Sequence, residues 1–172
     1  MADTPKAQPT ESEEILALLA EQRHTLLITV RNLTDEQARM RTTPSAFNLG
    51  GILKHMASGE GFWGQIIDER PIDLSRIMTD NSHWMTEVET LGELRSRYSE
   101  VAVSTESLVR SLPSLDAVVA LPETPWWPAP TPRWTVRHCL LHLLRETAHH
   151  CGHADIIREA IDGANTTMQL GT

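Results

Sequence analysis

Between Leu143 and Gly163 the chain reads LLRETAHHCGHADIIREAIDG. His149, His150 and His153 crowd together there, with His142 and Glu146 just upstream. Imidazole and carboxylate groups ligate divalent metals, and on a helix two side chains four residues apart stand one turn apart on a shared face. Pairs with that spacing include His138–His142, Glu146–His150 and His149–His153. The chemistry on offer is a metal centre started on one helix and closed by a donor from elsewhere in the chain.

The helical step of about 100° per residue sorts the pairs. With Glu146 at zero, the apolar residues Val136, Cys139, Leu140, Leu143, Ala154, Ile157 and Ile161 occupy an arc from roughly 20° to 120°, the core face. His150 falls inside this arc and Glu146 at its edge, while His153 and His142 lie just beyond it and His149 and His138 point toward solvent. Glu146 and His150 are therefore the pair aimed inward, although two histidines four apart are the more familiar ligand spacing. A solvated histidine run, or one hydrogen-bonded core histidine, would give a similar pattern. A carboxylate at the core edge argues for more, because buried Glu is rare unless paired or coordinated.

A third donor must come from another element. The stretch NLGGILKHMASGEGFWGQII, residues 48–67, offers His55 at the edge of an apolar face made by Ile52, Met56, Trp63 and Ile66. Gly59, one turn on, either leaves room for a ligand or lets helices pack closely. His24 lies off the apolar stripe of its helix and His83 lies in an irregular segment, so His55 fits best. Two histidines and one carboxylate make a three-ligand centre with an open position, the catalytic rather than the structural arrangement for zinc. Nickel would also suit imidazole donors.

The elements that must hold these residues are helical. A capping box, Thr10 to Glu13, opens helix one, about 11–32. Thr34 would cap a short helix, and helix two runs from near Asn48 to about Glu69, stopped by Pro71. Thr90 and Glu93 form another capping box and open helix three, about 91–112; helix four runs from Thr135 to Asp162, with Gly163 suited to its C-terminal turn. No strand pattern is convincing. The fold class is all-α, a four-helix bundle with a long proline-rich connection, residues 113–132, before helix four. Residues 1–10 read as a disordered lead, 11–163 as a single metal-binding domain and 164–172 as a loose C-terminal tail.

At 172 residues the chain suits one compact domain. A net charge of −8 argues against nucleic-acid and anionic-membrane partners. No stretch approaches the roughly 20 apolar residues that span a bilayer, and the N-terminus lacks a signal-like apolar run, so a cytoplasmic protein is expected. Cys139 and Cys151 sit too far apart along one helix to pair with each other and read as two buried thiols.

GGILKHM and LLRETAHHCGHADIIREAIDG, about ninety residues apart, resemble the DinB-like four-helix bundles, and in particular the actinobacterial mycothiol-dependent branch of maleylpyruvate isomerase and mycothiol S-transferases. That branch carries a histidine on helix two and Glu-x-x-x-His followed by a glycine on helix four. The matches are His55, Glu146, His150 and Gly152, over a resemblance covering roughly residues 12–163. The resemblance implies mycothiol as cosubstrate and transfer to, or addition across, a small electrophile. The competing function is a non-catalytic divalent-metal-binding bundle with a stress or interaction role.

The remaining expectations concern the surroundings. Trp126, Trp127 and Trp134 either lid the site or pack the end of the bundle. His142 and His153 flank Glu146 and would serve as hydrogen-bonding neighbours of the ligands. Arg41, Arg70 and Arg133 near helix ends are candidates for an anionic substrate, and exposed Ile156 would suit a homodimer contact.

Overall fold

A computed structural model describes residues 8–75, 82–125 and 127–170. In chain order it has α1 (Glu11–Thr29), the short α2 (Asp35–Arg39), α3 (Leu49–Ile67), α4 (Leu91–Ser111), α5 (Val136–Asp162) and the short α6 (Thr166–Gln169). The four long helices make the bundle: α1 packs on α5, α3 on α4, and α3 on α5.

The helix starts are set by side chains. Thr10 with Glu13, Thr34 with Gln37, and Thr90 with Glu93 each form a reciprocal capping box that satisfies free backbone N–H groups. Gly163, in the left-handed region at φ 79°, ends α5. Helix one is shorter than expected, because the chain turns after Thr29 and Asn32 adopts φ 59°.

Two features depart from the sequence reading. β1 (Val118–Val119) and β2 (Trp134–Thr135) pair antiparallel, Val118 opposite Thr135 and Val119 opposite Trp134. Strands this short carry no alternating pattern to read. The ribbon pinches together the ends of the proline-rich connection and seats it on the start of α5, where Arg137 N donates to Leu115 O at 2.9 Å. Second, residues 164–170 are not loose. Asp155 accepts from both Thr166 N and Thr166 Oγ1, at 2.8 and 2.6 Å, which seats α6 against the bundle.

The apolar core falls into two clusters. One holds Leu26, Ile52, Leu53, Tyr98, Ala154 and Ile157; the other holds Leu16, Leu19, Trp63, Ile66, Val109, Leu140 and Leu143. A polar layer separates them along the helices. Arg23, 5 % exposed, donates from Nε to Glu60 Oε2 at 3.1 Å and from NH1 to Glu106 at 3.1 Å, and Glu60 is 1 % exposed. Buried Thr147 lies on α5 between the cluster residues Leu143 and Cys151. The sequence reading missed this layer, because one arginine or glutamate in an amphipathic helix looks like any surface charge. Cys139 and Cys151 are free buried thiols, each pushed up to about 12 by burial. Among the described residues no helix is long and apolar enough to cross a membrane.

Candidate functional site

α3 and α5 bring His55 and His150 face to edge, with ring centroids 5.0 Å apart. His150 is 7 % exposed. Burial, then the neighbouring His55 and His153, pulls its imidazole down to about 4, so it is neutral near pH 7 and keeps a lone pair to donate. Phe47, from the turn before α3, contacts both rings at 5.7 and 5.3 Å and screens them from water on that side.

The Gly50–Gly51 pair explains how a distant loop reaches this pair. A β-carbon on Gly51 would lie 2.1 Å from His83 O, and one on Gly50 would meet the Met85 side chain at 2.5 Å. Only glycine lets residues 83–85 lie this close to the first turn of α3. Asn48 locks the contact: its Oδ1 accepts from Gly51 N at 2.7 Å and from Met85 N at 3.0 Å, and its own N–H donates to His83 O. The docked segment sets buried Ser82 with its Oγ 3.0 Å from His55 Nδ1, and stacks the His83 ring on His55 at 5.7 Å. Ser82 and the placement of His83 escaped the sequence reading; the GG pair before KHM was the signal that something approaches there.

Glu146 lies one turn before His150 and is partly exposed. Burial alone would raise its carboxyl, but the bond from Arg145 at 3.0 Å and the charges of His142 and Arg145 outweigh it, leaving the group below the ordinary carboxylate range. Arg145 also reaches His142 Nδ1 at 2.8 Å. With the carboxylate turned to Arg145, no group of three His, Cys, Asp or Glu among the described residues stands ready to hold a metal. The donor chemistry nevertheless suits one: two converging imidazoles, one of them held neutral, with a carboxylate lining a cavity beside His55.

Two cavities meet at His55, Gly59 and Phe62. The larger, about 700 Å³, lies toward α4 and has a mixed wall whose polar groups include Lys54, Ser58, Gln65, Asp73, Ser82 and Arg97. The smaller, about 280 Å³, lies toward α5 and is lined by Met56, Trp63, Trp127, Leu143, His142 and Glu146. Gly59 is not a helix-packing glycine, since a β-carbon there would meet nothing within 4 Å.

The other candidates divide. His142 lines the small cavity and packs edge-on against Trp63 at 4.9 Å. His153 stands beside His150, with 3.4 Å between their Nδ1 atoms, while His149 is exposed. Trp127 forms cavity wall. Trp134 instead stacks on Trp63 at 5.1 Å and on His138 at 4.0 Å, packing the bundle end. Trp126 lies outside the described residues. Arg41, Arg70 and Arg133 are exposed and line neither cavity; Lys54 and Arg97 are the cations that do, because they project from the faces of α3 and α4 that bound the larger one.

Residues 14–163 match a family model described as mycothiol-S-transferase. No curated protein matches the chain. Among solved structures, the crystal structure of a conserved protein from Enterococcus faecalis superposes with a TM-score of 0.66 at 16% identity, covering 91% of this chain and 100% of that one. At that identity the likeness is one of fold.

Proposed function

The chain belongs to the mycothiol S-transferase family, and from that premise we propose that it is a metal-dependent transferase that moves a low-molecular-weight thiol, mycothiol, onto a small electrophile. The observation that carries the reading is the His55–His150 pair, 5.0 Å apart where two cavities meet, with Glu146 lining one of them. His55, Glu146 and His150 would hold a divalent cation, zinc by ligand preference, with nickel compatible. When bound, the cation supplies the charge that keeps an incoming thiol ionised near neutral pH.

The chain's own residues prepare that event. Burial holds His150 neutral, so no proton has to leave before it donates. Ser82 orients the His55 ring through Nδ1, the kind of outer hydrogen bond that fixes a ligating imidazole. Arg145 donates to Glu146 and favours its charged form; to join the two imidazoles on a cation the carboxylate would turn inward from Arg145. Phe47 covers one side of the paired imidazoles, leaving their approach to the two cavities open.

The test is to load the protein with zinc, add mycothiol and 1-chloro-2,4-dinitrobenzene, and follow free thiol. Thiol loss well above the protein-free rate, abolished by a chelator and by His150→Ala, supports the transferase. Tight metal binding with thiol loss only at the protein-free rate leaves a metal-binding bundle and ends the enzymatic reading.

A further inference from the structure

The two cavities beside His55 differ in size and in what their walls offer. The smaller, about 280 Å³, carries no serine, glutamine, lysine or arginine. The larger, about 700 Å³, carries Ser58, Gln65 and Arg97 together with the apolar side chains of Phe62, Pro71 and Val101. A pocket of about 300–1,000 Å³ encloses a drug-sized ligand. The larger cavity lies well within that range and the smaller falls below it. Mycothiol is a molecule of that size: an N-acetylcysteine amide-linked to a glucosamine that carries an inositol, with hydroxyls over most of its surface. We infer that the 700 Å³ cavity is the subsite for this polyhydroxylated body, and that Gln65, Ser58 and Arg97 are the residues that recognise it. The inference deepens the thiol-transfer reading of the same site and rests on it.

Position is the first reason. His55 lies in the wall of both cavities, so a sulfur held beside it sends the rest of the molecule into one of them, and only the larger has the room. The second is a set of uncommitted groups. The side-chain amide of Gln65 is half-buried and makes no hydrogen bond among the described residues. Arg97 has no carboxylate partner among them and reaches only Ser58 Oγ, at 3.4 Å. Lys54, by contrast, is already paired with Glu89 at 2.9 Å. The third is the mixture of donors and acceptors. A wall of donors alone would select an anion. Here an amide and a hydroxyl, which both donate and accept, stand with the Asp73 carboxylate and the Arg97 guanidinium. Sugar hydroxyls likewise donate and accept, and Phe62 and Pro71 give apolar surface to the C–H faces of a sugar ring.

Two glycines of α3 keep this wall low. Gly59 and Gly61 both line the cavity. A β-carbon on Gly59 would meet nothing within 4 Å, and one on Gly61 only Val101 Cγ1, at 4.0 Å. Glycine inside a helix is less favourable than alanine, and packing does not require it at either position. The space they leave lets a bulky ring lie close to the helix backbone.

The experiment needs neither metal nor turnover. S-methyl mycothiol, whose blocked sulfur forms no thiolate, is titrated into the full chain by calorimetry. Two thioethers are compared with it. N-acetyl-S-methylcysteine methylamide keeps the cysteine end and lacks the sugars; S-methylglutathione carries carboxylates in place of hydroxyls. Saturable binding of S-methyl mycothiol is expected, at least about tenfold tighter than either comparison compound. Gln65→Leu and Arg97→Met, each checked for folding by circular dichroism, should weaken it by about tenfold, as lost hydrogen bonds in a binding wall do. No saturable binding, equal or tighter binding of either comparison compound, or wild-type affinity in both folded variants overturns the inference. Turnover is scored separately, by free thiol in the zinc-loaded protein. Binding without turnover removes the transferase reading and leaves the subsite standing. Equal turnover of mycothiol and N-acetylcysteine methylamide removes the subsite and leaves the transferase.

Discussion

Gly51 and His83 touch backbone to backbone: a β-carbon added to Gly51 would stand 2.1 Å from the His83 carbonyl oxygen. That contact carries Ser82 to His55, so part of the site depends on a hydrogen atom where other residues have a side chain. Gly51→Ala must push the 82–85 segment off α3. The expected cost is about 2 kcal/mol or more, in the manner of overpacking against a part that cannot yield. Gly59→Ala should have the opposite sign, stabilising α3 by about 0.5–1 kcal/mol, since nothing stands within 4 Å of the new carbon. Urea denaturation of the two variants decides, and equal effects would contradict the packing described.

If the proposed centre holds, metal binding follows the histidines. His55→Ala and His150→Ala should each lose most bound zinc after dialysis, measured by elemental analysis, while His149→Ala, an exposed change, keeps it. Ser82→Ala should weaken zinc by about tenfold without abolishing it, as removal of an outer hydrogen bond does. Unchanged occupancy in both ligand variants would remove the proposed centre.

The polar layer is sensitive to being broken and tolerant of being replaced. Glu60→Gln leaves buried Arg23 with the partly exposed Glu106 as its remaining anionic partner and should cost about 1–3 kcal/mol. Replacing both partners together, Arg23→Met with Glu60→Leu, should lie within about 2 kcal/mol of wild type, because two well-packed apolar side chains remove both desolvation penalties. Chemical denaturation of the single and double variants measures the difference.

Stability should fall in acid partly through one pair. Buried Arg158 donates to Asp162 at 2.9 Å and to the carbonyls of Thr29 and Arg31, tying α5 to the end of α1. The Arg158 bond holds the Asp162 carboxyl below the ordinary carboxylate range. A folded-state pKa below the unfolded one means a contribution fully present above the unfolded carboxylate pKa and lost as pH falls through the lowered folded value. Asp162→Asn should therefore flatten the stability curve below about pH 4 and leave its shape near pH 7 unchanged. An identical acid slope in the variant would show that the pair contributes nothing there.

The four long helices were legible because each advertises itself locally. Apolar residues recur at helical spacing, and Thr10–Glu13 and Thr90–Glu93 mark starts with side chains three residues apart. The wheel also separated His150 from His149, and the fold buries His150 while leaving His149 exposed; Glu146, expected to point inward, is partly exposed with its carboxylate bonded to Arg145. These are properties of one helix and its solvent-facing side, and short-range order is enough to read them.

What crosses between helices was not legible. Ser82 meets His55 because two glycines admit a backbone from a separate segment. Arg23 meets Glu60 across α1 and α3, and looks in sequence like any surface charge. Trp127 and Trp134, read as either lid or bundle-end packing, take different places, cavity wall and a stack on Trp63, once the two-residue ribbon fixes the proline-rich connection. Gly59 carried two readings until the space around its α-carbon was known. In each case the deciding quantity is a distance between atoms far apart in the chain. By itself the sequence determined which residues could do chemistry and which helix face each occupies. Tertiary packing alone decided which of them meet, what orients them, and that two unlike cavities open at the same histidine.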